Sequence, residues 1–262
     1  WILYAAFILD KSKKYALSKK ILDRAIKAVD ITELKEKLNI WVAYLNLENT
    51  YGKDPVEFQR IVEEAIKVND KKKILKHLIL IYRRNGNTKL IYEGYRMTLR
   101  SYKNDIALWK EFLEYTFTVK NSGKESEIDD FKQPKDVLSQ AIQCLIVSNK
   151  KIEMMIHYGG LHYKNNLVEQ GKTIFELLIK EHPKRTDIWL VYLEKESSFN
   201  TVDNARFLFR KCLEKDHKTK GLKQIVTKYI EFEKQHGSKE EIEKASRFVT
   251  EIMKEKMENL KD

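Results

Sequence analysis

Residues 189–196 read WLVYLEKE, and this octet sets the pattern for the whole chain. Trp189, Tyr192 and Leu193 fall on one face of a helix, because side chains three and four residues apart meet there. The Trp-x-x-aromatic spacing returns at WILY from Trp1, WVAY from Trp41 and WKEF from Trp109. Weaker copies fill the gaps near residues 75, 155 and 226. The chain is therefore predicted to be a repeat array.

Seven repeat units result, starting near residues 1, 41, 75, 109, 155, 189 and 226. Their spacing of 34 to 46 residues is typical of solenoids built from stacked helix pairs. Each unit has a second apolar stripe at i, i+3, i+4 and i+7, as in Phe58, Ile61, Val62 and Ala65, which predicts a second helix. The predicted fold is all-α, a right-handed α-solenoid of about seven helix pairs forming one domain over residues 1–262.

The aromatic residues of the first helices are predicted to be structural anchors between stacked helix pairs. An aromatic ligand cage is a much weaker interpretation, because the rings recur at one register. The predicted anchors are Trp1, Tyr4, Trp41, Tyr44, Trp109, Phe112, Tyr158, Trp189, Tyr192 and Tyr229.

An insertion at about residues 120–133 explains the longest spacing between units. It includes the stretch NSGKESEIDDFKQP from Asn121 to Pro134, which is locally acidic at 125–130. Such a composition predicts a solvated loop. A flexible spacer is favoured over a docking site for a basic partner.

The charge of the chain predicts a basic edge. Lys and Arg number 50 against 39 Asp and Glu, a formal charge of +11. The excess falls mainly in connections from a second helix to the next first helix, which share one edge of a solenoid. The residues concerned are Lys71, Lys72, Lys73, Arg100, Lys103, Lys150, Lys151, Lys184, Arg185, Lys218 and Lys220. They could bind nucleic-acid phosphates or acidic protein segments, and ordinary solvated lysines are an equal alternative. Without a base-reading motif, contacts to RNA would be to the backbone.

The sequence contains no pattern that predicts an enzyme, a metal site or a cofactor site. Glu48, Glu196 and Glu233 recur at one register, which indicates a structural role such as a bond to a neighbouring helix. His157 and His162 are five residues apart and miss the i, i+4 spacing of joint metal ligands. Gly-rich phosphate loops and nucleophile elbows are also missing from the sequence.

Compartment and chain context are further expectations. Cys144 and Cys212 lie on apolar stripes of different repeats and are predicted to be small hydrophobic residues, not a disulfide, in a reducing compartment. No run of 18 apolar residues predicts a membrane span. The chain starts at a motif tryptophan without an initiator methionine, so an internal or C-terminal domain of a longer protein is expected.

The repeat pattern resembles that of half-a-TPR (HAT) repeats, with W-x-x-Y-x-x-(L/F)-E in the first helix and (A/R)-x-x-(I/L)-(F/Y/L) in the second. Three segments carry a narrower resemblance: Leu34–Gly52, His182–Glu196 and Tyr229–Glu243. These segments are similar to the C-terminal HAT array of large nucleolar ribosomal-RNA-processing proteins in which a string of S1 domains precedes the repeats.

The resemblance implies a non-enzymatic scaffold for small-subunit ribosomal-RNA maturation in the nucleus and nucleolus. Its partners would be pre-ribosomal assembly proteins, with pre-rRNA contacted through its backbone. Two alternatives stay open, namely a scaffold of pre-mRNA splicing or 3′-end processing and a direct RNA-binding module. The resemblance also leaves a homodimer open, although no unpaired apolar stripe identifies an interface.

Overall fold

The computed structural model describes residues 1–30 and 32–258, leaving out the side chains of residues 257 and 258. Within this part the chain is all-helical and divides into two compact units, Trp1–Pro134 and Lys135–Asp262. The division falls inside the predicted fourth repeat, after its first helix. Whether all repeats form a single array therefore stays a prediction.

The described residues of the first unit form seven α-helices, and each repeat start predicted there lies in or beside one of them. They are α1 (Ile2–Ser12), α2 (Tyr15–Ala28), α3 (Leu34–Tyr51), α4 (Pro55–Val68), α5 (Lys71–Arg84), α6 (Thr88–Ser101) and α7 (Ile106–Asn121). Each helix packs on the next in chain order, and α3 also packs on α5, the first helix of the following pair. This is the stacking of an α-solenoid, so the predicted fold class is confirmed.

The second unit repeats the arrangement. Its helices are α8 (Pro134–Cys144), α9 (Ser148–Lys164), α10 (Val168–Glu181), α11 (Thr186–Phe199), α12 (Val202–Leu213), α13 (Thr219–His236) and α14 (Lys239–Glu258). First helices pack on first helices, α9 on α11 and α11 on α13, while α10 and α12 each contact the helices before and after them. Cys212 is buried and Cys144 is partly buried, and both are free thiols.

Polar side chains fix where several helices begin. Asp54, Asp70, Asn87 and Asp105 stand just before α4, α5, α6 and α7, and the side-chain oxygen of each accepts a backbone N–H of the first turn. These N-H groups have no partner within the helix, so each cap contributes about 1 kcal/mol. Because these caps fix the first residue of each helix, the connections before the helices are short.

The aromatic residues at the predicted anchor positions of the first helices pack on the preceding second helix. Phe112 of α7 lies 5.1 Å from Tyr92 of α6, measured between ring centroids. Tyr192 of α11 stacks on Phe175 of α10 at 5.2 Å with an interplanar angle of 3°. An aromatic residue at this register therefore joins one helix pair to the next.

The predicted anchors differ in exposure according to what covers them. Trp41, Trp109 and Trp189 are at most 4% exposed. The prediction of a buried anchor is wrong for Trp1 and Tyr4, which are 48% and 53% exposed. Trp1 precedes α1 and Tyr4 lies on it, and among the described residues only part of each ring is covered. Among the remaining anchors, Tyr44, Phe112, Tyr192 and Tyr229 are buried and Tyr158 is partly buried.

Two of the tryptophans also hold the connection before their own helix. The indole N–H of Trp109 donates to the carbonyl of Lys103 at 2.8 Å, and that of Trp189 donates to the carbonyl of Pro183 at 3.3 Å. Trp41 makes no such bond among the described residues. Its helix begins seven residues before the ring, so the carbonyl six residues earlier, that of Lys35, belongs to the helix.

Most residues of the insertion are exposed to solvent, as predicted for a solvated loop, but its apolar side chains pack against its own unit. Ile128 is buried, and the Phe131 ring lies 5.7 Å from that of Tyr92. The backbone N–H of Lys132 donates to the Tyr92 hydroxyl at 2.9 Å. Composition suggested solvent exposure, but Ile128 is buried and Phe131 contacts α6.

Buried tyrosines of the first unit should make it sensitive to alkali. Burial raises the pKa of Tyr82, Tyr95 and Tyr115 to about 12, because a phenolate is poorly solvated there. A pKa above the unfolded value of 10.0 means that this stability is complete below pH 10 and lost as the pH rises towards 12. We expect tyrosinate absorbance and loss of helical circular dichroism to rise together in that window.

Tyr82 provides the matched variant for this prediction, because burial is the sole cause of its shift. Tyr82→Phe removes one ionisable hydroxyl and should reduce the stability lost between pH 10 and 12. Tyrosinate absorbance that saturates near pH 10 with the helices intact would contradict the prediction.

Candidate nucleic-acid interface

The eleven residues of the predicted basic edge lie in or beside five connections, and the structure brings those of the first unit together. Lys72, at the start of α5, pairs with Asp105, just before α7, at 2.5 Å. The Lys72 ammonium also lies 5.7 Å from the centroid of the Tyr102 ring. The α4–α5 and α6–α7 connections are therefore neighbours, as the solenoid prediction requires.

The connections of the second unit also share an edge. Arg185, before α11, donates to the Asn149 side chain at the start of α9 at 3.1 Å. The start of α13 meets the start of α11, since a side-chain carbon at Gly221 would collide with the Thr186 side chain. Lys150, Lys151, Lys184, Lys218 and Lys220 therefore stand along neighbouring connections of this unit.

Internal ion pairs neutralise part of the basic edge, which sequence reasoning did not anticipate. The bond to Asp105 raises the pKa of the Lys72 ammonium. Arg185 donates to both carboxylate oxygens of Asp187, at 3.0 and 2.5 Å, which raises the pKa of the guanidinium and lowers that of the carboxyl. The sequence signal that could have revealed these ion pairs is an aspartate at a helix start, next to a basic connection.

The remaining residues of the edge differ in exposure. Lys150 and Lys151 are partly buried at the start of α9. The side chains that are exposed to solvent are Lys71, Lys73, Arg100, Lys103, Lys184, Lys218 and Lys220. They are the residues of the predicted edge that are available for a partner.

The repeated glutamates hold helices together. Glu48 accepts a hydrogen bond from the Tyr15 hydroxyl at 2.5 Å and pairs with Lys19 at 3.1 Å. Glu196 accepts from the Tyr163 hydroxyl at 2.5 Å and from Asn200 at 2.9 Å. The predicted bond to a neighbouring helix is confirmed for both.

Glu233 is held by a bidentate bond from Arg206, with donor–acceptor distances of 2.7 and 3.0 Å. This residue is fully buried. Thr116 and His162 occupy the same register in the units that start near residues 109 and 155, and they are buried as well. This position of the motif is thus polar in most repeats. Its carboxylates are bound by side chains of the preceding helix pair.

A groove of about 220 Å³ between α11 and α13 contains serine, histidine and glutamate side chains. The hydroxyls of Ser197 and Ser198 donate to carbonyls one turn earlier in their own helix, not to His236. In the part of the chain that the structure describes, no group of three or more His, Cys, Asp or Glu side chains could hold a metal ion. Nor does any described helix have the length and apolarity needed to cross a membrane.

Comparison with known proteins supports the interpretation of the repeats. The family model described as "Suppressor of forked protein (Suf)", a HAT-repeat family, matches residues 144–261. The predicted resemblance to HAT-repeat domains is confirmed. The helix pairs of the first unit lie outside the matched residues.

Several RRP5 proteins are similar to this chain over most of its length. The "rRNA biogenesis protein RRP5" of Arabidopsis thaliana is 32% identical over 244 residues, 93% of this chain and 12% of that protein. The "Protein RRP5 homolog" of Mus musculus is 28% identical over 262 residues, the whole of this chain and 13% of that protein. The Schizosaccharomyces pombe protein is 28% identical over 97% of this chain and 14% of its own length. The chain thus spans roughly an eighth of these relatives.

Proposed function

We propose that the chain is a non-enzymatic HAT-repeat scaffold of ribosomal-RNA biogenesis, acting in small-subunit rRNA maturation in the nucleus and nucleolus. The observation that supports this most is similarity over 93% to 100% of the chain to proteins named for rRNA biogenesis. The stacked helix pairs suit the role, because a solenoid presents an extended surface to partners. Those partners would be pre-ribosomal assembly proteins.

A scaffold of splicing or 3′-end processing is the alternative with an observation in its favour. The HAT-repeat match is compatible with it, but that match covers only residues 144–261 and its description names neither process. The RRP5 similarity includes both units, so rRNA biogenesis is the better supported function.

RNA that co-purifies with the chain tests the proposal. We expect the tagged 262-residue chain, expressed in eukaryotic cells, to recover pre-rRNA and box C/D particle RNA above a tag-only control. Trp189→Ala, which should unfold the second unit, is expected to lose that enrichment, whereas Trp1→Ala should keep it. Enrichment of spliceosomal RNA instead would favour the alternative and contradict the proposal.

A further inference from the structure

The positive charge of the chain is concentrated in one helix pair. Residues 67–105, which include α5, α6 and the connections on either side, carry eleven Lys and Arg against three Asp and Glu. Their net charge of +8 accounts for most of the formal +11 of the chain. The rest of the sequence is close to neutral by comparison.

Five cations of this segment stand on the edge formed by the α4–α5 and α6–α7 connections. We call them the third-pair cluster: Lys67, Lys71, Lys73, Arg100 and Lys103. All five are exposed to solvent. The pair between Lys72 and Asp105 holds the two connections side by side, so the five cations belong to one surface.

The three carboxylates of the segment bind groups other than the side chains of these five cations. Asp70 accepts the backbone N–H of Lys73 at 3.0 Å, which caps α5. Asp105 accepts the backbone N–H of Ala107 at 3.0 Å and binds Lys72. Glu93 pairs with Arg96 at 3.2 Å. No cation of the third-pair cluster makes an ion pair within the described part of the chain, so the cluster's charge is available to a partner.

The helix pairs of the second unit have a smaller surplus of positive charge. Arg185 is bound by Asp187, and Lys256 of α14 reaches Asp216 in the α12–α13 connection at 3.7 Å. Residues 148–187 and 180–221, each a helix pair of this unit with its flanking connections, carry net charges of only +2 and +3. The first unit therefore provides the stronger site for an anion.

The surface of the third-pair cluster suits phosphates better than an acidic protein. Protein partners bind mainly through buried apolar and aromatic anchors. Among the large hydrophobic side chains that the structure shows exposed, only Val68 lies in these two connections. The Tyr102 ring is beneath Lys72, which leaves no aromatic platform for base stacking. Exposed lysines and an arginine without base-reading groups are typical of contacts to a phosphate backbone.

We propose that the third-pair cluster binds the phosphate backbone of RNA without sequence preference. The choice of RNA rests on the proposed function, whereas the site rests on the charge and exposure of these five residues. This narrows the predicted edge of eleven residues to one part of the first unit and adds Lys67, which lies at the end of α4.

Two variants with the same change of charge test the site. The first is Lys67→Gln, Lys71→Gln, Lys73→Gln and Lys103→Gln combined, which leaves the Lys72–Asp105 pair intact. The control is Lys223→Gln, Lys234→Gln, Lys239→Gln and Lys244→Gln combined, four exposed lysines of α13 and α14. Circular dichroism confirms that both purified chains are folded. Binding of a fluorescent oligouridine RNA is then measured by anisotropy over a series of KCl concentrations.

Each phosphate contact to single-stranded RNA contributes about 0.7 to the slope of log affinity against log salt. The cluster variant should therefore lower the slope by about 2 to 3 and weaken binding at least about tenfold at low salt. The control variant should stay within about twofold of the wild-type chain. Equal slopes and affinities for the two variants would overturn the proposal, as would failure of the wild-type chain to bind the RNA at low salt.

An oligoglutamate peptide of the same charge separates RNA from an acidic protein. Binding of the peptide as tightly as the RNA, with the same loss in the cluster variant, would replace the proposal by a protein-binding surface. These measurements use purified chain and synthetic RNA. Their outcome is therefore independent of which RNA co-purifies from cells, and either proposal can fail alone.

Discussion

Replacing Trp189 by alanine should lower the free energy of unfolding by about 3–5 kcal/mol. The Trp189 side chain is 2% exposed, contacts a core that includes Tyr192 and Phe209, and donates its indole N–H to the Pro183 carbonyl. Alanine would leave a cavity between α11 and its neighbours and an unpaired carbonyl at the connection. Urea denaturation followed by far-ultraviolet circular dichroism measures the effect.

Trp1→Ala is the matched control for this prediction. Trp1 occupies the same register but is 48% exposed, and the Arg24 guanidinium lies 5.9 Å from the centroid of its ring. We expect a loss of only about 1–1.5 kcal/mol, because about half of the side chain is already in water. Equal losses at the two positions would show that the register alone, and not the covering helix, determines the stabilisation.

Arg206→Ala should be nearly as destabilising, at about 3 kcal/mol. The change leaves the carboxylate of Glu233, whose side chain is 1% exposed, in a buried position without its cation. Removing one partner of a buried ion pair costs about 3–5 kcal/mol, since the remaining charge has neither water nor a counter-charge. The partial exposure of Arg206 itself, 15%, places the expectation at the lower end.

The control for Arg206 is Arg247→Ala, on the adjacent helix α14. Arg247 and Glu243 are 78% and 72% exposed and their charged atoms are 3.6 Å apart, so that pair should contribute less than about 0.5 kcal/mol. Adding Glu233→Gln to Arg206→Ala should restore part of the lost stability, because the buried charge is then gone. A double variant that is less stable than Arg206→Ala would argue against an unpaired buried carboxylate as the cause.

The buried positions of the repeats could be predicted from sequence, because stacked helices bury the same positions of the motif each time. Trp41, Trp109 and Trp189 are buried for the reason their spacing indicates. The glutamate at the end of the motif was predicted to be structural, and Glu196 is bound by Tyr163 from the preceding first helix. Because the glutamate recurs at one position of the motif, each copy supports the structural interpretation of the others.

Partners that do not repeat could not be predicted in this way. The aspartates that neutralise Lys72 and Arg185 lie beside helix starts, and only the folded connections bring Asp105 to Lys72 across 33 residues. The acidic composition of the insertion also concealed Ile128 and Phe131, which pack against the unit. Composition describes an average, whereas packing depends on the individual side chains that meet a surface.

The sequence by itself determined the helix pairs, their order and the columns that face the interior, because a period of 3.6 residues places those columns on one side of each helix. The tertiary structure decided which columns are covered and which charges are free. Trp1 is about half exposed whereas Trp189, at the same register, is packed into a core, and the charge of Lys73 remains available because Asp70 caps α5 and forms no ion pair with it among the described residues. Both outcomes depend on neighbours in space, which a linear pattern does not specify.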